Sequence, residues 1–388
     1  ELRIFSATSF MGHGVDKESL ERAMDYDLDF VIAQGTTTDA GPYYLGAAKP
    51  VMAEEALRRD LELIITIAKA NGVPFIISAG GCGADSTTRL VLDLIEDICS
   101  QHSLSLKLGV VWSEIAKDYL LSGLKQGKRA RRIVPHPALE ENLSAESVLQ
   151  AERIVAQVGP EVIMDLWEQN PDLDGVIAGR SLDVGLYAAI PLLHGFDKGL
   201  AMHFGKVMED GALAATPGSG NDGLLGIIRE DHFDVRPTNP KRRCTPESVT
   251  GHAFYERSDP NREANPGGDL DISQAVYTQL DEVTVRVSGA RWIEAPAYTV
   301  KLEGAAKTGY RSICIAGMRD PQVVANVELI LEESRDIVED YFSYLAEDSY
   351  ALNFKVYGKD AVLGPFEPTP YVQGHEICVL IDVVAETQ

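Results

Sequence analysis

The chain has 388 residues, of which 45% are hydrophobic and 24% are charged, and its formal net charge at pH 7 is −24. This length and composition allow one large α/β core or two smaller domains. The negative charge disfavours nucleic acid and anionic membranes as partners, and no apolar run reaches the about 20 residues of a membrane-spanning helix. The five cysteines are odd in number, widely spaced and without a Cys-x-x-Cys pair, which suits a reducing cytoplasm better than a disulfide framework.

Short apolar runs alternate with helical patterns through the first half of the chain. The apolar runs predict strands over residues 3–7, 28–33, 73–78, 104–112 and 173–178. Helical spacing predicts helices over residues 16–24, 51–71, 87–101, 115–126, 144–158 and 160–169. Because consecutive parallel strands need a crossover helix, this alternation predicts an α/β fold with an open, mostly parallel sheet flanked by helices.

The pattern changes after residue 200. Residues 201–222 contain a helix and then a Pro/Gly/Ser-rich loop, which we interpret as a domain junction. Alternation in EVTVRVSG, AYTVKLEGA and YRSICIAGM predicts antiparallel strands, and residues 320–345 have helical spacing. We therefore predict an α/β domain over residues 1–215 and a second, α+β domain over residues 216–388. A distorted (β/α) barrel is the alternative architecture.

Each predicted parallel strand ends abruptly in glycine, hydroxyl or charged residues. The segments that follow the strands are TSFMGHG, QGTTTDAG, AGGCGADS, WSE and AGRSLD. Ligands of such sheets bind outside the carboxyl ends of the strands, so this convergence predicts a cleft for a small molecule. Residues 34–49 are predicted to form an irregular loop, because Gly41, Pro42 and Gly46 oppose a regular helix. The alternative is a mobile surface loop without a ligand.

Two of these loops supply residues that can contact a substrate directly. Threonine hydroxyls both donate and accept hydrogen bonds, and glycines before a helix let backbone N–H groups face a carboxylate or phosphate. The candidates are Thr36, Thr37, Thr38, Gly80, Gly81, Cys82 and Gly83. The alternative for residues 80–83 is a tight turn with a small, packed cysteine. The segment is neither a Walker A loop nor G-x-G-x-x-G, and we find no nicotinamide or flavin motif.

Three further side chains are candidates for substrate binding or catalysis. Arg180 can bind a substrate carboxylate through two parallel hydrogen bonds, or it can form an ion pair with Asp183 or another carboxylate. His203 and Lys206 share one face of a helix, with Glu209 displaced around it. We predict that His203 contacts substrate and that Lys206 is catalytic; a solvated helix face is the alternative.

Asp39 and Glu114 follow strands that are expected to be neighbours. Two carboxylates that face one cleft can divide general acid and base work, or they can hold Mg²⁺ or another divalent cation. The alternative is that both are helix caps. His252, with Tyr255 and Glu256, is a weaker candidate group of the same kind. There is no H-E-x-x-H and no G-x-S-x-G, which disfavours zinc hydrolases of that type and α/β-hydrolases.

Several segments together resemble a known family. They are DAGPYYLGAAKP, AGGCG, WSEIAKDYL, AMHFGKVMEDGAL, EGAAKTGYRSICIAGMRDP, VYGKDAVLG and HEICVLIDVVA. In these the chain resembles the acyclic terpene utilisation (AtuA) family, in its N-terminal-domain type. The resemblance implies a metabolic protein of terpene or organic-acid catabolism, associated with a small ferredoxin-like partner subunit.

These observations predict a lyase (hydratase or dehydratase) or an isomerase that acts on a small carboxylate or an acyl thioester such as an acyl-CoA. The cofactor is left open, with a divalent cation as one alternative. We also expect a homo-oligomer. The alternative function is a non-catalytic binding or scaffolding subunit that works only with its ferredoxin-like partner.

Overall fold

The computed structural model describes residues 1–137, 139–254, 257–346 and 348–388. It divides into two compact units, Glu1–Ala306 and Lys307–Gln388. The predicted α/β class with a second, smaller unit is confirmed. The predicted boundary after residue 215 falls inside the first unit, because a strand that follows it, Leu224–Ile228, pairs with the first strand of the chain, Leu2–Ser6.

The first half of the chain supplies the parallel part of the main sheet. Its strands are β1 Leu2–Ser6, β2 Phe30–Ala33, β3 Phe75–Ser78, β4 Leu108–Val111, β5 Ala151–Ala156 and β6 Gly175–Ala178. Five of them pair in parallel in the order β1-β2-β3-β6-β4. These are the five strands that the apolar runs predict. Strands β2, β3 and β6 are buried at every residue, as expected when helices cover both faces of a sheet.

In the described part of the chain, seven helices connect these strands, and two more follow β6. They are α1 Lys17–Met24, α2 Pro42–Ala47, α3 Glu54–Ala70, α4 Asp85–His102, α5 Lys117–Lys125, α6 Ala145–Gln150, α7 Pro160–Gln169, α8 Asp183–Leu193 and α9 Lys198–Met208. Leu20, Leu61 and Val91 of α1, α3 and α4 belong to one apolar cluster. Side chains of α7, α8 and α9 belong to a second cluster, which lies on the other residues of the same strands.

The second part of the first unit extends the sheet with antiparallel strands. Its elements are β7 Leu224–Ile228, β8 His232–Arg236, α10 Pro246–Ala253, β9 Arg262–Asn265, β10 Gly268–Asp271, β11 Val276–Gln279, β12 Val285–Ser288, β13 Arg291–Glu294 and β14 Leu302–Ala306. The main sheet has nine strands in the order β11-β12-β8-β7-β1-β2-β3-β6-β4. It is therefore an open mixed sheet rather than the barrel that was the alternative.

Two local predictions are wrong. The predicted helix over residues 144–158 ends at Gln150, and β5 follows at once because its segment AERIVA pairs with β14. The loop predicted over residues 34–49 contains the short helix α2, since Pro42 occupies its first turn, where the missing N–H has no helical partner to lose.

The second unit is a three-stranded antiparallel sheet with helices. Its elements are β15 Tyr310–Met318, α11 Pro321–Ala325, α12 Val327–Tyr341, β16 Tyr350–Tyr357 and β17 Ile377–Ala385. The strand order is β15-β17-β16, and Val327, Val356 and Val379 form its core. Throughout the described part of the chain, none of the helices combines the length and apolar character needed to cross a membrane.

A comparison of two glycines tests how tightly the turns at the carboxyl end of the sheet pack. Gly83 has φ +74°, and a Cβ there would lie 2.4 Å from the Arg180 Cβ. Gly72 has φ +68°, but a Cβ would meet nothing within 4 Å. We expect Gly72→Ala to lower the free energy of unfolding by about 1 kcal/mol through backbone strain alone. Gly83→Ala should cost about 2 kcal/mol more, because it also overpacks the turn. Equal urea midpoints for the two variants would contradict the close approach.

Candidate functional site

The turns after β2, β3 and β6 meet at the carboxyl end of the sheet. The Thr37 N–H donates to the Gly81 carbonyl at 2.7 Å, and the Gly81 N–H donates to the Gly35 carbonyl at 3.0 Å. Arg180 Nη1 donates to the Thr36 carbonyl at 2.8 Å. Loops that are far apart in sequence therefore lie on one rim of the sheet.

Arg180 is buried within this rim and is engaged by the protein. Its Nε donates to Glu303 Oε2 at 2.7 Å, and its Nη2 lies 3.3 Å from Glu303 Oε1. Thr38 Oγ1 also donates to Glu303, at 3.0 Å. Burial opposes ionisation of Glu303, but the hydrogen bond and charge of Arg180 hold its pKa below the usual value. Arg180 thus adopts the ion-pair arrangement that the sequence left as its alternative.

The glycine segment after β3 is a packed turn. The Cys82 N–H donates to the Gly80 carbonyl at 3.1 Å, and the Gly81 N–H is bonded to Gly35 as described above. Cys82 is buried, with its Sγ 3.7 Å from Thr87 Oγ1. These contacts match the tight-turn interpretation, because both N–H groups are used within the chain.

Asp39 and Glu114 have separate surroundings. Asp39 is exposed. Glu114 Oε1 accepts a hydrogen bond from the Asp85 N–H, the first residue of α4, at 2.9 Å, and it lies 3.7 Å from Arg153 Nε. Among the contacts of the described residues, none joins Asp39 to Glu114. Glu114 therefore caps a helix, although α4 rather than the helix that follows it.

His203 and Lys206 are neighbours on α9 but face different environments. His203 is fully buried, its Nε2 lies 3.1 Å from the Tyr277 hydroxyl, and burial lowers its pKa to about 3. Lys206 is buried at 3% exposure, with its Nζ 2.6 Å from Glu209 Oε1. Burial opposes the charge of Lys206, but Glu209 beside it raises the pKa above its usual value. His203 belongs to the core, whereas Lys206 belongs to a polar group.

That polar group, which we call the α9–α10 cluster, consists of Lys206, Glu209, Asp210 and His252. His252 Nε2 lies 3.8 Å from Asp210 Oδ2, and Gln34 Nε2 lies 3.2 Å from Asp210 Oδ1. Burial first, and then the charge of Lys206, lowers the pKa of His252 to about 4, so its imidazole is neutral at pH 7. Tyr255 and Glu256, which the sequence grouped with His252, lie outside the described residues.

Three members of the cluster are arranged as a metal site would require. One ligand atom from each of Glu209, Asp210 and His252 lies within 4.8 Å of the other two. Sequence analysis singled out His252 and noted Glu209 only for its helical position; it missed Asp210. The Glu-Asp pair at the end of an otherwise apolar helix was the available signal.

Asp183 connects the rim to the cluster. It is the first residue of α8, and its Oδ1 lies 3.6 Å from Arg180 Nη1. Burial raises its pKa to about 7 against the opposing charge of Arg180, and the negative charge of Asp210 adds to the rise. A carboxyl that titrates near pH 7 can both give and take a proton. The sequence had named Asp183 only as a partner for Arg180.

Arg257 provides a positive charge close to the cluster. Its side chain is 2% exposed, and its Nη2 donates to Glu263 Oε2 at 2.8 Å. Nε and Nη1 are buried and have no hydrogen-bond partner among the described residues. Its positive charge also helps to lower the pKa of His252, after burial and the charge of Lys206. No pattern in the sequence marked Arg257.

Comparison with known proteins identifies the second part of the chain. A family model described as acyclic terpene utilisation family protein AtuA matches residues 235–388. This part of the chain, less than half of its length, is therefore similar to that family. The match agrees with the family that the motifs indicate; the N-terminal-domain type stays a prediction. The matched region contributes His252, Arg257 and Glu303, whereas Asp183, Lys206, Glu209 and Asp210 precede it. No curated protein and no solved structure matches the chain.

The raised pKa of Asp183 predicts a specific dependence of stability on pH. A folded pKa near 7, above the usual 3.8, means that the folded state binds more protons than the unfolded state between these values, so stability falls as pH rises towards 7. Between pH 6 and pH 8.5 the unaltered chain should lose about 1 kcal/mol that Asp183→Asn does not lose. Urea midpoints at the two pH values measure the difference. If the urea midpoint of Asp183→Asn changed between the two pH values as much as that of the unaltered chain, the elevated pKa of Asp183 would be excluded.

Proposed function

We propose that the chain is an enzyme, a lyase (hydratase or dehydratase) or an isomerase, that moves protons on a small carboxylate or acyl thioester. The observation that carries this proposal is the buried Arg257 guanidinium, whose Nε and Nη1 have no hydrogen-bond partner among the described residues. The match of residues 235–388 to the acyclic terpene utilisation family agrees with an acid formed in the breakdown of a small organic molecule.

A buried guanidinium with unused donors favours an anion. An unsatisfied N–H in a buried position costs about 1–3 kcal/mol, and more on a charged group, so a ligand that fills it is favoured. A carboxylate oxygen can accept a charge-assisted hydrogen bond from either of these groups, Nε–H or Nη1–H, which point to different sides of the guanidinium. Arg180 is less suited to this role, since its donors already bind Glu303 and backbone carbonyls.

Proton transfer is the chemistry that the surrounding residues support. Hydration, dehydration and double-bond shifts each need a group that removes a proton from carbon and a group that delivers one. Asp183, with a pKa of about 7, is present in both forms near neutral pH and suits either step. Lys206, charged and paired with Glu209, can stabilise negative charge that develops on the substrate.

Solvent deuterium exchange at the α-carbon, followed by NMR, tests the proposal without knowledge of the full reaction. The full chain is incubated with candidate hydroxy acids and enoyl thioesters, and conversion is followed in the same samples. We expect Asp183→Asn to reduce exchange at least 100-fold, because it removes the titrating group. Arg257→Lys should raise KM at least 10-fold with a smaller effect on kcat, because a lysine ammonium does not reproduce the fixed directions of the guanidinium N–H donors.

The matched control is Asp172→Asn. Asp172 lies before β6, at the opposite end of that strand from Asp183, and its side chain is 70% exposed. Asp172→Asn should catalyse deuterium exchange at the same rate as the unaltered chain. If Asp183→Asn also exchanges at that rate, the assignment of proton transfer to Asp183 is wrong. Asp39→Asn and Glu114→Gln, measured in parallel, test the catalytic roles that the sequence predicted for those residues.

A second candidate function is a binding subunit that works only with a partner. Strand β15 is at the edge of the second unit's sheet, and its Ile313 and Ile315 are 53% and 69% exposed. An apolar edge strand can accept a strand from another chain. Full turnover by the isolated chain would remove this candidate, whereas activity that appears only with a co-purified small subunit would support it.

A further inference from the structure

The structure assigns a divalent-cation site to Glu209, Asp210 and His252 in the α9–α10 cluster. The two carboxylates follow α9 directly, and the imidazole is carried by α10, so two elements fix the three ligands from different directions. The site is independent of the proposed reaction, because its occupancy can be measured without turnover.

The spacing of the three side chains fits an ion after a small closure. Ligand atoms about 2.1 Å from one ion are separated from each other by roughly 3 to 4.2 Å. In this structure the three ligand atoms lie within 4.8 Å of one another, and the distance from His252 Nε2 to Asp210 Oδ2 is 3.8 Å. Rotations of the carboxyl groups that move their oxygens by less than about 1 Å bring the three ligand atoms within this range.

The surroundings of the three ligands resemble those of a metal site. The His252 ring donates a hydrogen bond to the Lys206 carbonyl, which fixes the imidazole orientation in the way that metal-bound histidines are usually fixed. Gln34 is 8% exposed, its Nε2 contacts Asp210, and its Oε1 has no hydrogen-bond partner among the described residues. A buried, unused acceptor beside the ligands is what a water bound to the ion would satisfy.

Lys206 partly neutralises the cluster but does not exclude an ion. Its Nζ binds Glu209 through Oε1, which leaves Oε2 of the same carboxylate. The buried carboxyl group of Glu209 and the half-buried one of Asp210 are adjacent in sequence. A dication held between them attracts both carboxylates in a place that water screens poorly.

The ligand types indicate which cation is bound. Carboxylates suit Mg²⁺ and Mn²⁺, whereas an imidazole ligand favours Fe²⁺, Ni²⁺, Cu²⁺ or Zn²⁺, so a mixed set selects against Mg²⁺. We therefore assign the site to a first-row transition-metal dication rather than to the Mg²⁺ considered from the sequence.

Electron paramagnetic resonance of Mn²⁺ added to the chelator-treated full chain tests this site. We expect one Mn²⁺ per chain, displaced by Zn²⁺ and not by an equal concentration of Mg²⁺. Nitrogen coupling from one imidazole should appear in the pulsed spectrum. Glu209→Gln, Asp210→Asn and His252→Gln should each weaken Mn²⁺ binding at least 10-fold. Circular dichroism of each variant without metal checks that it is folded.

The matched controls come from an exposed histidine–carboxylate pair elsewhere. His102 Nε2 lies 2.6 Å from Glu62 Oε1, on α4 and α3. Glu62→Gln and His102→Gln should bind Mn²⁺ like the unaltered chain. Absence of stoichiometric Mn²⁺ binding by the unaltered chain overturns the assignment, and so does a Mn²⁺ spectrum without nitrogen coupling. An unchanged affinity of folded Asp210→Asn for Mn²⁺ would also overturn the assignment.

Discussion

The buried ion pair between Arg180 and Glu303 is the contact on which the rim of the sheet depends. Arg180 follows β6, Glu303 lies on β14, and the guanidinium also binds the Thr36 carbonyl after β2. A single side chain therefore joins three segments that are up to 267 residues apart (303 minus 36). Ionised groups are costly to bury, so the pair forms only because hydrogen bonds occupy nearly every donor and acceptor. This leaves the rim rigid and its shape defined.

Rigidity at the rim determines where the chemistry can occur. With Arg180 committed to Glu303, and with the N–H groups of Gly81 and Cys82 bonded within the turn, the rim has little capacity left for a ligand. Polar groups that can contact a ligand lie instead in the α9–α10 cluster and at Arg257. There the structure buries the Glu209 carboxyl group, the Lys206 ammonium group and the Arg257 guanidinium, and Nε and Nη1 of Arg257 have no hydrogen-bond partner among the described residues. Natural proteins tolerate such incomplete pairing mainly at functional sites.

Asp183 shows how one position can belong to both regions. As the first residue of α8 it is favoured by the positive end of the helix dipole, which stabilises the ionised form. Its burial and the negative charge of Asp210 act in the opposite direction and prevail. The outcome depends on the distance between α8 and the end of α9. That distance is set by the packing of the two helices against the same face of the sheet, in which Leu186 and Phe204 take part.

The sequence by itself determined the five parallel strands, most of the crossover helices and the meeting of the loops after β2, β3 and β6 at one edge of the sheet. These features follow from local apolar periodicity and from glycine and hydroxyl residues at strand ends, which neighbouring residues encode. Residues 144–158 were misread because AERIVA satisfies helical and strand patterns alike, and only pairing with β14, some 150 residues later, decides between them. The tertiary structure alone decided which polar side chains meet. Arg180 was predicted to bind a substrate carboxylate, with an ion pair as the alternative, and it pairs with Glu303. Asp210 and His252 lie near each other although their segments share no motif. Charge pairing depends on distances of a few ångströms between residues far apart in the chain, and local sequence patterns carry no information about such distances.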